Sequence, residues 1–422
     1  MSVNARDVVA IVLAAGSSSR MWPLRDKHAL RFAGRTLLDL HLERLQRAGV
    51  QRFVLVGNDE NAALLRDHAA ALAVASVAVQ TGAPGMAGGV LSAIAQLGER
   101  DLGRPVYVTQ PHDVVDAGFH ERMLSAANGD NGFGYLAAYV TNGHFPGGYL
   151  ILEGDRVAGL IEKPAPGSEP SDLVTIVAHL FADARPLLQQ LERETQGKSG
   201  DDAYERAVTG LMREHHFAPV RYEGAWQPMK YPWQVLDVMA LLLEQLRDGA
   251  ASPGPGYTQV EPGVFFGENV KVFPGGQVAA PAVVGHNAVI GNNALVRESM
   301  LGDNCVAGFG SEVARSYLGE RCQLHHNYIG DSVLERDVLL GFGSITANFR
   351  LDQATVKSAV RGERVDSGKD KLGMIAGAGA KFGVGVNVMP GVKIGAGAIV
   401  GPGQNVFDDV QDGAKLLPER NA

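Results

Sequence analysis

A glycine- and serine-rich segment near the start of the chain carries two basic residues that suit phosphate chemistry. The segment, LAAGSSSRMWPLRDK, follows the apolar run VVAIV and places Arg20 seven residues before Lys27. Between a strand and a helix, such a loop offers several backbone N–H groups to phosphate oxygens, and the basic side chains add charge-assisted contacts. It matches neither the Walker loop nor the dinucleotide fingerprint. The residues alone leave two interpretations open, a site for a phosphorylated ligand or a surface turn after a buried strand.

A pair of adjacent histidines, His325 and His326, is the second feature that could do chemistry. Histidine is the usual general base in enzymes because its ordinary pKa lies near neutral pH. Without further context, the pair is more simply explained as the cap of a turn. A metal site with Cys322 is a third interpretation, although a lone CxxHH lacks a fourth ligand. Cys322 and Cys305, the two cysteines of the chain, form no disulfide framework and are expected to pack in the interior.

The composition is that of a soluble globular protein with two or three domains. The chain has 422 residues, of which 45% are hydrophobic and 20% charged. A net charge of -8 provides no basic surface for nucleic acid, and no basic amphipathic stretch suggests membrane binding. No apolar run approaches the roughly 20 residues that span a bilayer, and the N-terminus lacks a signal-peptide pattern. We therefore expect a cytoplasmic protein that binds neither nucleic acid nor membranes.

The first half of the chain alternates strand-like and helix-like segments. VVAIVLAA is typical of a buried parallel strand, TLLDLHLERLQRAG of an amphipathic helix that ends at a glycine, and RFVLVG and VYVTQ of further strands. A closing helix, PWQVLDVMALLLEQL, begins near Pro232 and precedes the proline- and glycine-containing segment RDGAASPGPGYTQ. This order predicts an α/β domain over residues 1–248, followed by a linker over 249–262.

The second half has a different period. Five apolar residues recur every six positions near the C-terminus, and a glycine directly follows four of them; they are Ala376, Phe382, Val388, Ile394 and Val400. A period of six with an apolar residue and small neighbours is the signature of a hexapeptide β-helix, in which three hexads make one triangular turn. Residues 263–422 are therefore predicted to form a parallel β-helix.

The opening segment, extended to LAAGSSSRMWPLRDKHALRFAGRTLL, resembles the first motif of sugar-1-phosphate nucleotidylyltransferases. Four further segments are similar to motifs of that family in the same order: QTGAPGMAGGVLSAI to the loop that holds the base, VYVTQPHDVV to the strand before a metal-binding aspartate, GLIEKP to the sugar-binding segment, and WQPMKYPWQVLDVMALLLEQL to the closing segment. The resemblance implies a Rossmann-like nucleotidyltransferase domain with a mixed, mostly parallel sheet.

The resemblance also implies a role for each matched residue. Arg20 and Lys27 would act as catalytic cations at the phosphates, and Asp113 would be the Mg²⁺ ligand. The sugar and its phosphate would contact Glu162 and Lys163. The remaining nucleotide contacts would come from the opening loop and the base loop, at Leu13, Ala14, Ala15, Gly16, Ser17, Ser18, Ser19, Gln80, Gly85 and Gly88.

Several positions depart from the family pattern. The second metal-binding aspartate of the family falls on Pro228, which cannot coordinate a metal ion, and a family glycine falls on Lys230. At two further positions where the family pattern has glycine, this sequence has His112 and Val177. Either Mg²⁺ is held differently, with Lys230 supplying charge at the sugar phosphate, or the transfer activity is weak or absent.

The segment LHHNYIGDSVLERDVLLGFGSITANFRLD resembles the acyltransferase part of bifunctional sugar-1-phosphate enzymes of the archaeal type, and more distantly the bacterial N-acetylglucosamine-1-phosphate uridylyltransferase. The resemblance implies a left-handed β-helix that transfers an acetyl group from acetyl-CoA to an amino-sugar-1-phosphate. His325 would be the general base, while Tyr328, Asn348 and Lys357 would position the sugar phosphate.

Two positions in this second motif depart from the family. His326 falls on a family leucine and is expected to serve packing or the surface, and one basic position falls on Ala354. Acyltransferases of this type place their active sites between neighbouring coils, so the resemblance also implies a homotrimer or a multiple of it.

The sequence thus predicts a bifunctional enzyme whose substrates are an NTP, a sugar-1-phosphate and acetyl-CoA, with Mg²⁺ at the first site. One alternative is a single-activity NDP-sugar pyrophosphorylase whose β-helix is structural or regulatory. Another is a non-catalytic scaffold that binds a sugar nucleotide. His325 within its motif argues against the scaffold, and Lys27 with Asp113 argues against an inactive first half.

Overall fold

The computed structural model describes residues 4–16, 18–127, 132–141, 143–196 and 200–418, so the contact predicted at Ser17 lies outside the described residues. The chain forms two compact units. The first unit comprises Met1–Ser17 and Asp39–Trp226, and the second comprises Ser18–Leu38 and Gln227–Ala422. The domain boundaries at 1–248, 249–262 and 263–422 stay predictions from the sequence.

The first unit combines helices with one sheet. A short 3₁₀ helix at Ala5–Asp7 precedes the first strand. The α-helices of the chain are α1 (Leu37–Arg47), α2 (Ala62–Ala70), α3 (Gly85–Ile94), α4 (Glu99–Leu102), α5 (Phe119–Ala126), α6 (Ala184–Thr195), α7 (Ala203–Glu214) and α8 (Gln234–Arg247). The first thirteen strands are β1 (Val9–Leu13), β2 (Arg31–Phe32), β3 (Arg35–Thr36), β4 (Arg52–Gly57), β5 (Val74–Val79), β6 (Val106–Thr109), β7 (Asp113–Val115), β8 (Gly134–Val140), β9 (Gly148–Glu153), β10 (Arg156–Glu162), β11 (Leu173–Phe181), β12 (Phe217–Tyr222) and β13 (Trp226–Pro228). Helix α8 and the strands β2 and β3 belong to the second unit.

The sheet of the first unit is mixed, as the sequence predicts. Its strand order is β10-β9-β11-β6-β1-β4-β5, and β8 joins β11 to β12. Strands β6, β1, β4 and β5 are parallel neighbours, whereas β11 runs antiparallel to β6, β8 and β9. All five residues of β1 are buried, because a central parallel strand is covered on both faces and therefore needs a continuous apolar sequence. The segments VVAIVLAA, RFVLVG and VYVTQ form β1, β4 and β6.

The apolar core of the first unit lies between this sheet and three helices. Helix α3 packs on β1, β4 and β5, and α7 packs on β10 and α6. Fully buried side chains from both layers meet there, among them Ile11, Val90, Leu187 and Val208. The core thus fixes α3, whose N-terminus carries the predicted base loop.

Short strands build the second unit almost entirely. They are β14 (Thr258–Glu261), β15 (Val264–Phe266), β16 (Lys271–Val272), β17 (Gln277–Ala279), β18 (Ala282–Val284), β19 (Val289–Ile290), β20 (Leu295–Arg297), β21 (Met300–Leu301), β22 (Val306–Ala307), β23 (Glu312–Ala314), β24 (Tyr317–Leu318), β25 (Gln323–Leu324), β26 (Tyr328–Gly330), β27 (Val333–Leu334), β28 (Leu339–Leu340), β29 (Ile345–Thr346), β30 (Lys357–Val360), β31 (Glu363–Asp366), β32 (Ile375–Ala376), β33 (Lys381–Phe382), β34 (Asn387–Val388), β35 (Lys393–Ile394), β36 (Ile399–Val400), β37 (Asn405–Val406) and β38 (Lys415–Leu416).

These strands confirm the predicted left-handed β-helix. They stack into three sheets, and within each sheet the coils pair in parallel, as in the row β18-β21-β24-β27. The periodic residues predicted from the sequence each end a strand and point into the core, with Ala376, Phe382 and Val388 buried on successive faces. Cys305 and Cys322 are buried in the same core as predicted.

Two elements interrupt or flank the coils. The antiparallel hairpin β30–β31 stands between β29 and β32, after the segment TANFRLD. Helix α8, predicted from PWQVLDVMALLLEQL, packs against β24 of the β-helix. Among the residues that the structure describes, no helix combines the length and apolar character needed to cross a membrane.

Candidate active sites

A cavity of ≈ 480 Å³ opens at the carboxyl ends of the parallel strands of the first unit. Its walls come from the loops after β1, β4, β5 and β6, which parallel pairing brings to one edge of the sheet. Five predicted nucleotide residues line it, namely Leu13, Ala15, Gly16, Gln80 and Gly85. The structure therefore brings the opening loop and the base loop together around one space.

Two asparagines that the sequence analysis missed hold the opening loop. Asn58 Nδ2 donates a hydrogen bond of 3.1 Å to the Ala15 carbonyl, and Asn61 Nδ2 donates one of 2.9 Å to the Ala14 carbonyl. The Asn58 backbone N–H donates in turn to Asn61 Oδ1 at 2.9 Å. These bonds orient the peptide groups at Ala14 and Ala15. Their signal in the sequence was the polar run directly after the strand RFVLVG.

The base loop depends on one side chain and two glycines. Gln80 Nε2 donates to the carbonyl oxygens of Gly85 at 3.0 Å and Ala83 at 3.3 Å, so the glutamine folds the loop onto itself. Gly85 has φ +68°, and a Cβ there would lie 2.7 Å from the Asp201 carbonyl oxygen. A Cβ on Gly88 would lie 1.8 Å from the Ala83 carbonyl oxygen. A side chain at Gly88 is therefore incompatible with this loop.

Two neutral donors fix Asp113, the predicted metal ligand. Its Oδ2 accepts a hydrogen bond of 2.6 Å from Gln110 Nε2, and its Oδ1 accepts one of 3.1 Å from the indole N–H of Trp226. Gln110 also lines the first cavity. Among the described residues, no group of three or more His, Cys, Asp and Glu side chains could hold a metal ion. Asp113 is therefore an oriented carboxylate that would need ligand oxygens to complete a metal site.

The predicted sugar residues lie at the end of β10. Glu162 Oε1 pairs with Lys163 Nζ at 3.0 Å, and the Lys163 backbone N–H donates to the Gly147 carbonyl at 3.0 Å. Glu162 also lines a second cavity, of ≈ 600 Å³, between β10 and helices α6 and α7. Glu205, which the sequence analysis did not select, lines the same space. The Glu205 Oε2 atom is buried without a hydrogen-bond partner among the described residues.

The basic half of the opening loop belongs to the second unit. The Arg20 guanidinium carbon lies 5.9 Å from the centre of the Tyr231 ring, within cation–π range. Lys27 is 8% exposed, although lysine is seldom buried unless it is paired. The Lys230 backbone N–H donates to Gln234 Oε1 at 2.7 Å, at the start of α8. Ser18 adopts φ +49°, a left-handed conformation that is uncommon for serine.

The two histidines of the β-helix occupy different surroundings. His326 stacks between Phe309 and Phe342, with ring centres 5.9 and 5.0 Å apart. Both phenylalanines are largely exposed, at 59% and 61%, so the three rings form a ladder on the surface of the coils. This agrees with the packing or surface role predicted for His326. His325 is exposed, and its backbone N–H donates to Asn327 Oδ1 at 2.5 Å.

The structure brings two of the predicted sugar-phosphate residues together. Asn348 Nδ2 lies 3.3 Å from the Tyr328 hydroxyl and 2.5 Å from Asp331 Oδ2. Asp331 is held in turn by a bidentate contact from Arg315, at 2.7 and 2.8 Å. This contact raises the pKa of the Arg315 guanidinium, because the ion pair favours its charged form. Arg315 and Asp331 were not predicted, and they show that the site has a charged support.

Two further predictions concern Lys357 and Cys322. Lys357 is exposed on β30, where its backbone carbonyl accepts a hydrogen bond of 3.1 Å from Arg364 Nη2. Cys322 Sγ points into the coil and lies 3.1 Å from the Glu335 carbonyl oxygen. Since His325 and His326 are exposed whereas the thiol is buried, the structure does not gather these three side chains as ligands of one metal.

The chain joins an α/β unit, with a cavity at the carboxyl ends of its parallel strands, to a hexapeptide β-helix. This combination defines the protein's class, the nucleotidyltransferases with a β-helical second half. The chain matches the MobA-like NTP transferase domain over residues 10–252, more than half of its length, and it belongs to this family.

Curated relatives extend the similarity into the β-helix. The bifunctional sugar-1-phosphate nucleotidylyltransferase/acetyltransferase of Sulfurisphaera tokodaii is 26% identical over 396 residues, which cover 91% of this chain and 94% of the relative. The bifunctional protein GlmU of Methanococcus vannielii is 24% identical over 395 residues, with 91% of each chain covered. That of Methanocaldococcus jannaschii is 24% identical over 266 residues, which cover 58% and 60%.

The base loop yields a first prediction. Gly88→Ala should weaken nucleotide binding about ten-fold or more, because the Ala83 peptide must move and the loop that lines the cavity moves with it. Isothermal titration with NTPs measures the effect. Gly98→Ala is the matched control, since a Cβ there meets nothing within 4 Å. Unchanged affinity in the Gly88 variant would show that the loop does not contact the nucleotide.

A second prediction concerns pH and Glu205. Burial raises the pKa of Glu205 from 4.5 to about 7, and the nearby carboxylates of Glu162 and Asp201 act in the same direction. Because the folded state binds this proton more tightly than the unfolded chain, the group stabilises the fold below pH 4.5, and this contribution is lost as the pH rises to about 7. Glu205→Gln, which stays neutral, should reduce the fall in Tm between pH 5 and pH 8.

Differential scanning calorimetry at both pH values measures this effect. The exposed Glu192→Gln on α6 is the control and should keep the wild-type difference. A Glu205 variant whose Tm falls as steeply as that of the wild type would contradict the assignment.

Proposed function

We propose that this protein is a bifunctional enzyme. Its first reaction joins a sugar-1-phosphate to an NTP and releases pyrophosphate, and its second acetylates an amino-sugar-1-phosphate with acetyl-CoA. The observation that carries the proposal is the cavity lined by Gly16, Gln80 and Gly85, which the sequence predicts as nucleotide contacts. The name of the Sulfurisphaera tokodaii relative, which aligns over 91% of the chain, supports a sugar-1-phosphate nucleotidylyltransfer and an acetyl transfer.

In the first reaction, an oxygen of the sugar phosphate attacks the α-phosphorus of the NTP in line. The new P–O bond forms as the bond to the β-phosphate breaks, and pyrophosphate leaves with the negative charge. No protein nucleophile is needed, so the chain contributes positioning and charge. The base would lie against Gln80 and the base loop, the backbone at Gly16 would bind phosphate oxygens, and Arg20 and Lys27 would stabilise the charge that develops on them.

Asp113 would hold Mg²⁺ in this proposal. Mg²⁺ is commonly bound by one or two carboxylates together with substrate phosphates, so Pro228 at the second family position does not by itself remove the site. The donors Gln110 and Trp226 orient the carboxylate and leave lone pairs on both oxygens. When bound, the ion neutralises phosphate charge. Glu162, Lys163 and Lys230 would contact the sugar and its phosphate.

In the second reaction, the amine of the sugar attacks the thioester carbon of acetyl-CoA. His325 would take the amine proton, the C–N bond would form, and CoA would leave as its thiolate and regain a proton. Tyr328 and Asn348, held by Asp331 and Arg315, would position the sugar phosphate together with Lys357. The exposed His325 side chain is accessible to such a substrate. The proposal includes a cytoplasmic location and a homotrimer or a multiple of it, both on the strength of the sequence.

A third prediction tests the first reaction with four NTPs and dTTP against several sugar-1-phosphates in the presence of Mg²⁺. Lys27→Ala should lower pyrophosphate release by about 10²-fold or more, because it removes a preorganised charge at the reacting phosphates. Asp113→Asn should raise the Mg²⁺ concentration needed for half-maximal rate. Full activity in both variants would remove the assignment, and nucleotide binding without turnover in the wild type would favour the scaffold.

A fourth prediction tests the second reaction in the full-length protein. CoA release from acetyl-CoA with glucosamine- or galactosamine-1-phosphate should be abolished by His325→Ala, since the amine proton then has no acceptor. His326→Leu is the matched control and should be tolerated, because a leucine can still pack between Phe309 and Phe342. A silent His325 variant with a damaging His326 variant would reverse the two roles. A wild type that releases pyrophosphate but no CoA would leave a single-activity enzyme with a structural β-helix.

A further inference from the structure

The hairpin β30–β31 of the β-helix contacts the loop that is proposed to bind the triphosphate. Its turn carries Arg361, with φ +52°, and Gly362, with φ +87°. The Arg361 guanidinium Nη2 donates a hydrogen bond to the Ser19 hydroxyl. Ser19 directly precedes Arg20, so an arginine of the inserted hairpin touches the basic half of the opening loop.

A buried lysine joins the same two segments a second time. The Lys393 ammonium bonds to the carbonyl of Ala359 on β30 and lies 4.7 Å from the centre of the Trp22 ring. Its side chain is 3% exposed, and the Asp409 carboxylate is 3.8 Å away. Burial lowers the pKa of Lys393. Because a buried ammonium is costly without partners, the hairpin carbonyl and the indole ring are held to it.

The loop is anchored a third time through its tryptophan. Trp22 Nε1 donates to Asp412 Oδ1 at 3.0 Å, and the same carboxylate oxygen accepts from the Ala396 backbone N–H at 2.8 Å. Trp22 is thus fixed at its edge and on its face. Between this anchor and Gly16, Ser18 sits in the left-handed region with φ +49°, a conformation that surrounding contacts must hold in place. The Arg361–Ser19 hydrogen bond is one such contact, and the Ser18 carbonyl also accepts a hydrogen bond of 2.7 Å from the Met21 backbone N–H.

We infer that Arg361 is a positioning residue for nucleotide transfer. By holding the Ser19 hydroxyl, it fixes the strained peptide at Ser18 and the direction of the backbone N–H groups of Ser18 and Ser19. Phosphate-binding loops work through groups that point at the phosphate before it arrives, so a loop released from this contact must be ordered by the nucleotide itself. The planar guanidinium suits this role, since it is always charged and offers several donors in fixed directions. The inference rests on the proposed first reaction.

The contrasting view is that this is an exposed contact of little energetic value, as many surface arginine contacts are. The two views differ in what they predict for kinetics. A positioning role raises the KM for the NTP and leaves the KM for the sugar phosphate unchanged. An incidental contact changes neither.

The experiment compares Arg361→Ala, Arg361→Lys and Ser19→Ala with the wild type in the full chain, using the NTP with the fastest pyrophosphate release and isothermal titration with that NTP. Arg361→Ala should raise the KM and the Kd for the NTP about five-fold or more, with kcat changed less than about two-fold. Arg361→Lys should recover part of the loss. The double variant Arg361→Ala/Ser19→Ala should lose less nucleotide affinity than the sum of the two single losses, because both substitutions remove the contact between Arg361 and Ser19. Arg364→Ala, on the next strand of the same hairpin, removes an equal charge and should leave the KM for the NTP unchanged.

The outcomes separate this inference from the proposed function. Wild-type turnover together with unchanged nucleotide affinity in Arg361→Ala, or additive effects of the two substitutions, would overturn the inference and leave the proposed function intact. A wild type that binds NTPs without turnover would remove the proposed first reaction, while titration would still measure the role of Arg361. A wild type that binds no NTP would overturn both.

Discussion

Parallel pairing of β6, β1, β4 and β5 is the constraint on which the first site depends. In this register Val12 lies opposite Thr109, Leu13 opposite Val56, and Gly57 opposite Val79. All four strands therefore end at the same edge, and the loops that follow them must share one space. The cavity is a consequence of this alignment. A few side chains shape this cavity, because they fix the loops around it. Asn58, Asn61 and Gln80 do so by donating hydrogen bonds to backbone carbonyls of the loops.

The β-helix brings distant residues together by stacking its coils. Each coil repeats the position of the coil before it, so residues about one coil apart in sequence become neighbours on one face. Arg315 and Asp331 are 16 residues apart and form a bidentate pair. Tyr328 on β26 meets Asn348, which follows the neighbouring strand β29. A polar site can therefore be assembled on a rigid surface from residues that are distant along the chain. Asn327, next to His325 and His326, connects its turn to the following coil by donating hydrogen bonds to the carbonyls of Gly341 and Ser344.

The sequence predicted those features that depend on local period. The strands β1, β4 and β6, helix α8 and the six-residue repeat are all encoded in the spacing of apolar residues, which burial enforces directly. The supporting residues were missed for a physical reason. Whether Asn58 and Asn61 bind the opening loop depends on which strands are neighbours, and a single sequence does not state this. The role of Asp331 could have been predicted from the sequence. An arginine paired with an aspartate one coil later is a recurring pattern in this β-helix, as Arg321 and Asp337 also show.

The division of the opening loop bears on how the proposed activities are linked. Its backbone part, up to Gly16, belongs to the first unit, whereas Arg20 and Lys27 belong to the unit that contains the β-helix. Trp22 contacts Lys393 and Asp412 directly, so the loop that bears the two proposed catalytic cations is packed on coils of the β-helix. If the first reaction depends on those cations, the β-helix contributes to it as a support, whatever chemistry it performs itself. In that case the hairpin β30–β31, which carries Lys357 for the proposed second reaction, also contacts the loop of the proposed first reaction through Arg361 and Ser19.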